Sequence, residues 1–244
     1  MVEKKQKGNK SKVGKKSNTV IMGCTESMPE KSSFNVPHEI DPVFVPIGLD
    51  AGAGPSTSEP CILYVKEKFF SWSGDDFSIK TQGGGILGNG LKVKGKAFAF
   101  RDQMALVDGN KKLVGVCLRK FQLMGQTFKV YVPNPVLKGQ KPSANDYNGQ
   151  KLYGYCEVER VPFDMTQNVF FEGRKSSPAF RIKRVGSLFP KKRLVTRKGK
   201  PAALMEGGTW EGNYNTYKIT SNPGIDQCLM ILLCAICDEM DEQK

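Results

Sequence analysis

CLMILLCAIC, from Cys228 to Cys237, is an unbroken run of ten apolar residues in a 244-residue chain whose formal net charge is +13. As a helix it spans about 15 Å at roughly 1.5 Å per residue. A bilayer core needs roughly 20 apolar residues. Asp226 and Gln227 close one end of the run, and Asp238, Glu239, Asp241 and Glu242 close the other. Extending the span would carry those carboxylates into lipid, so no transmembrane span is expected here. A helix apolar on every face must instead be surrounded by protein. Asn222 and Pro223 read as N-cap and first-turn residues, and Asp226 complements the positive end of the helix. The acids at the far end oppose the dipole and are expected to emerge into solvent.

The segments before the run supply a wrapping. From Cys61 onward, Val, Phe, Tyr and Ile gather in short stretches punctuated by Gly, Asp, Asn and Pro. About twelve read as strands: 62–70, 76–80, 91–100, 104–108, 112–119, 127–132, 152–159, 168–172, 179–185, 193–197, 202–206 and 214–220. LKVK (91–94) and FRIK (180–183) alternate apolar and basic residues, which sets a solvated basic face against a buried one. DGNKK (108–112) has the residues of a tight hairpin turn, and the proline-bearing 133–150 reads as a long exposed loop. About eight strands already fill a barrel with their own side chains, and more strands leave a wider lumen. The pattern therefore predicts a mainly β fold: a closed antiparallel twelve-stranded barrel around a central hydrophobic C-terminal α-helix. The expected domain is 61–241. Residues 1–60 are lysine- and proline-rich without apolar periodicity, and read as a disordered basic extension.

Three stretches resemble the LURP-one-related family of plants: YVKEKFFSWSGDDFSIK (64–80), VKGKAFAFRDQMALVD (93–108) and YKITSNPGIDQCLMILLCAICDEM (217–240). The resemblance covers roughly 61–241. It implies membership of the tubby-like and phospholipid-scramblase superfamily, and the same barrel-around-helix architecture. It also implies analogies of function: phosphoinositide headgroup binding, a membrane-tethered transcription-regulator-like role linked with plant defence, or scramblase-like lipid translocation. The glycine-rich TQGGGILGNG (81–90) is longer than the family's usual turn.

The charge points to an anionic partner. RKSSPAFRIKRVGSLFPKKRLVTRKGK (174–200) holds eleven Lys or Arg and no acid. The candidate anion- and lipid-binding residues are Arg181, Lys183, Arg184, Lys191, Lys192, Arg193, Arg197, Lys198 and Lys200. Those from Lys191 to Lys200 are expected to cluster around a hairpin, so that several could converge on one phosphate-bearing headgroup. Anionic phospholipid or phosphoinositide headgroups are the expected partners, and nucleic acid is the alternative for the same basic face. The sequence names no protein partner.

No cofactor, metal site or catalytic site is expected, and the chain reads as non-enzymatic. Gly83, Gly85 and Gly88 match GxGxxG, but a strand follows instead of a helix. GLKVKGKA (90–97) copies a phosphate-binding loop only as far as Ala97, where Ser or Thr is needed. Cys234 and Cys237 have CxxC spacing without a second pair, and read as packing residues. SGDD (73–76) reads as a turn. The single histidine, His38, falls in the region read as disordered, which argues against Ser-His or Cys-His catalysis. No apolar signal-peptide core follows Met1, so reduced cysteines and a cytoplasmic or nuclear location, with peripheral plasma-membrane contact, are expected. MGCTES (22–27) would place a lipidation signal on Gly23 and Cys24 only if translation began at Met22.

Overall fold

Alternation decides which side of each strand faces inward. In the computed structural model, Leu63 and Val65 of β1 (Cys61–Lys66) are buried while Ile62, Tyr64 and Lys66 are not. The structure describes residues 37–39, 45–56, 58–66, 77–96, 103–120, 126–162, 164–186, 191–210 and 213–242. Gly23 and Cys24, and SGDD (73–76), lie outside them. The same alternation builds β2 (Phe77–Thr81), β3 (Lys92–Lys96), β4 (Gln103–Val107), β5 (Leu113–Lys120) and β6 (Thr127–Val132). A two-residue hairpin follows, β7 (Asp146–Tyr147) with β8 (Gln150–Lys151). Then come β9 (Tyr153–Arg160), β10 (Gln167–Phe171), β11 (Phe180–Arg184), β12 (Lys192–Arg197), β13 (Lys200–Trp210) and β14 (Asn213–Ser221). The helix α1 runs Gln227–Glu242.

Twelve strands close a ring in the order β1-β14-β13-β12-β11-β10-β9-β6-β5-β4-β3-β2. Each of the twelve sequence-predicted segments overlaps one of them. Neighbours are antiparallel throughout, so successive turns alternate between the two ends. α1 fills the lumen: Cys228 to Leu233, Ile236, Cys237 and Met240 belong to one core with the inward residues of the strands. The helix approaches β5 where the chain has no side chain. A Cβ on Gly115 would lie 3.0 Å from Leu232 Cδ1 and 3.4 Å from Ile47 Cγ2. Cys234 and Cys237 are buried in this core, as packing residues should be. No helix among the described residues is long and apolar enough to cross a membrane.

Four expectations change. First, residues 45–56 are part of the fold. Ile47, Ala51 and Ala53 join the core as a strap across the mouth where α1 begins. The Ile47 N–H donates to Asp226 Oδ2 at 2.6 Å, and the Gly224 N–H donates to the Ser56 carbonyl at 2.7 Å. Gly48 packs so tightly that a Cβ would collide with Cys228 Sγ and the Ala53 carbonyl. A few apolar residues, aimed by backbone hydrogen bonds, suffice for this without any periodicity.

Second, Asp226, not Asn222, caps the helix. Its Oδ1 accepts from the N–H groups of Cys228 (2.9 Å) and Leu229 (3.1 Å). Asn222 instead opens a turn in which Gly224 has φ +80° and the Ile225 N–H donates to the Asn222 carbonyl. Third, the acids at the far end do not all reach solvent. Asp238 is buried, accepting from the Tyr217 hydroxyl and pairing with Lys191 at 3.1 Å. Asp241 pairs with Arg193 at 2.5 Å. Fourth, 133–150 is more than an exposed loop. Its hairpin brings Tyr147 and Leu152 over Val116, Leu118 and Tyr131 on the outer face of β4–β6.

Candidate anion-binding groove

In β11, Phe180 and Ile182 point into the lumen, so Arg181 and Lys183 must project outward. On β12 the inward positions are Arg193 and Val195, which leaves Leu194 and Thr196 outside. The register pairs Arg181 with Thr196 and Lys183 with Leu194. A two-residue turn, Lys198–Gly199, joins β12 to β13, with φ +50° and +76° at the two positions. Positive φ at both centres is the hairpin geometry that matches strand twist. It is unfavourable for a lysine and holds Lys198 at the rim. Together with Ser177 from the β10–β11 connection, these residues line a groove of about 510 Å³. Three cations (Arg181, Lys183, Lys198) and two hydroxyls (Ser177, Thr196) surround the apolar Leu194, and no acid lines the groove.

The other candidates do not join it. Lys191, Lys192 and Arg193 stand at one end of β12, while Arg197, Lys198 and Lys200 stand at the other. At about 3.4 Å per residue the strand separates them by roughly 17 Å. The six therefore cannot all meet one headgroup, although Arg197, Lys198 and Lys200 do gather at the β12–β13 hairpin. Arg193 is 3% exposed. One of its guanidinium nitrogens donates to the Cys237 carbonyl at 3.1 Å and to Asp241. A cation at the C-terminal part of a buried helix complements its dipole, so Arg193 belongs to the fold.

Lys192 pairs with Glu206 at 3.0 Å. Arg197 lies over the Phe180 ring, 5.7 Å from its centroid, and donates to the Glu39 carbonyl at 2.6 Å. Arg184 turns toward Met165 Sδ at 3.8 Å, and Lys200 is exposed at the turn. The neighbouring β9–β10 face carries its own acids. Glu157 is held by Lys120 and Lys175, and although burial opposes its charge, those two ammonium groups bring it below the ordinary carboxylate value. Glu172 holds Lys129 at 2.9 Å. The groove thus gathers Arg181, Lys183 and Lys198 on a lining that contains no acid.

His38 lies among described residues. It approaches the Pro201 carbonyl with Nε2 at 2.7 Å, and burial, with Arg197 and Lys200 nearby, lowers its pKa. It is therefore neutral near pH 7 and serves as a tie between the strap region and β13. Ser177 and Thr196 escaped the sequence reading, because hydroxyls carry no signal until a register sets them beside cations. The inward turn of Arg193 had one sequence cue, its two-residue spacing from Val195.

A twelve-stranded antiparallel barrel threaded by its own C-terminal helix defines a tubby-like fold. The sequence profile described as LURP-one-related matches residues 61–238, and the chain belongs to that family. Among solved structures, it is similar to the X-ray structure of a protein from Arabidopsis thaliana. The TM-score is 0.51 at 20% sequence identity, covering 78% of this chain and 94% of that one. No match was found among curated proteins.

Proposed function

We propose that this protein is a non-enzymatic lipid-binding module that docks peripherally on membranes through phosphorylated, anionic headgroups held in the β11–β12 groove. The observation that carries this reading is the groove itself: three cations and two hydroxyl donors beside Leu194, Pro178 and Pro201, with no acid in the lining. Arg181 offers a planar fork suited to two phosphate oxygens, and Lys183 and Lys198 add point charges from either side. A headgroup bearing several phosphates fits such spacing better than a single monovalent anion.

The described nucleophiles favour a binding role. Burial pushes the thiols of Cys61 and Cys237 up to about 11, and those of Cys117, Cys156 and Cys228 also upward. Such thiols are protonated at neutral pH and poorly nucleophilic. On this reading the protein resides at the cytoplasmic face of the plasma membrane, where anionic lipid concentrates. Release from lipid would free it for a nuclear role.

Co-sedimentation with phosphatidylcholine vesicles, with and without a phosphoinositide, over a salt series provides the test. Binding that requires the phosphoinositide and disappears in Arg181→Ala/Lys183→Ala supports the proposal. Headgroup-indifferent vesicle binding, with tight DNA binding that falls steeply with salt, would favour nucleic acid instead. Transfer of labelled lipid between leaflets on addition of the protein would favour translocation.

A further inference from the structure

Four large apolar side chains stand exposed among the described residues: Val45 (51%), Leu49 (56%), Ile86 (74%) and Met165 (41%). The first three lie at the barrel end where α1 begins, and Met165 lies in the β9–β10 turn at the opposite end. Single exposed apolar residues are ordinary on protein surfaces. These three differ because their loops are locked together. The Asn89 N–H donates to the Ala51 carbonyl at 3.1 Å, and the Gly109 N–H donates to the Asn89 carbonyl at 2.8 Å. Gly88 lies so close to the Ala51 carbonyl that no Cβ would fit. The strap, the glycine-rich 82–91 loop and the 108–112 turn thus form one platform.

Charge surrounds that platform. Lys111 and Lys112 are exposed on the turn, Lys80 is exposed where the glycine loop leaves β2, and Lys198 and Lys200 stand on the same end of the barrel. The acid of the turn, Asp108, is buried and accepts from the N–H groups of Asn110 and Lys112. Asp50 is exposed, with Asn134 Nδ2 3.3 Å from its carboxylate. Five lysines therefore stand on an end that carries three apolar tips, where Asp50, Glu39 and Glu59 are exposed carboxylates.

We infer that this end of the barrel faces the membrane, with Ile86 and Leu49 entering the boundary between headgroups and acyl chains of an anionic bilayer. The inference rests on the lipid-binding reading above and adds an orientation to it. The groove opens beside the Lys198–Gly199 turn at the same end, so docking this way brings it to headgroup level. A bilayer matches the layering, because it presents phosphates first and hydrocarbon just beneath. A nucleic acid presents phosphates but nothing for an isoleucine held out on a glycine loop.

The test uses the full chain, vesicles of phosphatidylcholine and phosphatidylserine carrying a phosphoinositide, and inositol trisphosphate as a soluble headgroup. Leu49→Ser/Ile86→Ser should weaken vesicle binding about tenfold or more, from the apolar area withdrawn from lipid. Its affinity for inositol trisphosphate should match that of the native protein. In Ile86→Trp the added indole emission, read as the difference from the native chain, should shift to the blue on vesicles and be quenched by brominated lipid. Vesicle binding unchanged in the double variant, with an unquenched indole, overturns the orientation while inositol trisphosphate binding keeps the headgroup reading intact. Failure of the native protein to bind either vesicles or inositol trisphosphate overturns both. Capture of this end by another protein, without vesicle binding, also overturns the inference.

Discussion

Asp226 is a single carboxylate joining three parts of the molecule: it caps α1, holds the strap through the Ile47 N–H, and sits buried at the mouth of the barrel. Burial raises its pKa from 3.8 to about 6, against the lowering effect of the N–H groups of Ile47, Leu229 and Cys228. Because the folded-state value is the higher one, the native state binds more protons than the unfolded chain between the two values. This group's contribution is therefore fully present below about pH 4 and is lost as pH rises through about 6. Its loss amounts to about 1.4 kcal/mol for each unit separating the two values. Denaturant titrations should show the stability of the native protein gaining on that of Asp226→Asn as pH falls from 7 to 4. Asp226→Ala, which removes both the cap and the strap tie, should cost about 1–3 kcal/mol at neutral pH. Legibility at this scale was uneven. The helix N-terminus was readable from Asn222, Pro223 and Asp226, but which of them caps depends on where the chain turns, and Gly224 sets that turn. The inward aim of Arg193 depended on a strand phase that KRLVTR leaves open, because Leu194 and Val195 are both apolar.

The central element is α1, and its tolerance to change follows from what surrounds it. Leu232 is fully buried and meets β5 at Gly115, so Leu232→Asp should yield no soluble folded protein, as read by circular dichroism and gel filtration. Leu232→Ala should fold and lose about 2–5 kcal/mol. Gly115→Val pushes the two elements apart and should cost about 1–3 kcal/mol through overpacking. At the other end of the helix, Arg193→Ala leaves the Asp241 carboxylate and the Cys237 carbonyl without their cation. Thermal unfolding should report a loss of about 3–5 kcal/mol, whereas Arg181→Ala in the open groove should change stability by less than about 0.5 kcal/mol. Strands and helix were legible because alternation and an all-apolar run are periodic signals. The strap was not, because its three core residues, Ile47, Ala51 and Ala53, follow no period, and their burial exists only once the barrel mouth is in place.

For the molecule as a whole, the strap moves the working boundary of the domain upstream of the family match at Cys61. A chain beginning at Cys61 should melt several degrees lower than one beginning at Val45, since it uncovers the lumen and leaves Asp226 with one fewer donor. The lumen of the closed ring is filled by α1 and the inward side chains of the strands, so the outer surface and the two rims must make any contact with partners. The basic residues of 174–200 are unevenly placed: Lys175, Lys191, Lys192 and Arg193 pair with acids on β9, β13 and α1, and the β11–β12 groove brings three cations together with no acid in its lining. That asymmetry was hidden in a sequence where all eleven basic residues of 174–200 look alike, because register, not composition, decides which of them share a surface. The most direct measurement compares phosphoinositide-vesicle binding of two double variants with equal net charge, Arg181→Glu/Lys183→Glu in the groove and Lys66→Glu/Lys94→Glu on β1 and β3, away from both the groove and the membrane-facing end. If the groove holds the headgroup, the first variant loses binding and the second retains most of it. Equal loss in both, or full binding by the groove variant, would contradict the account.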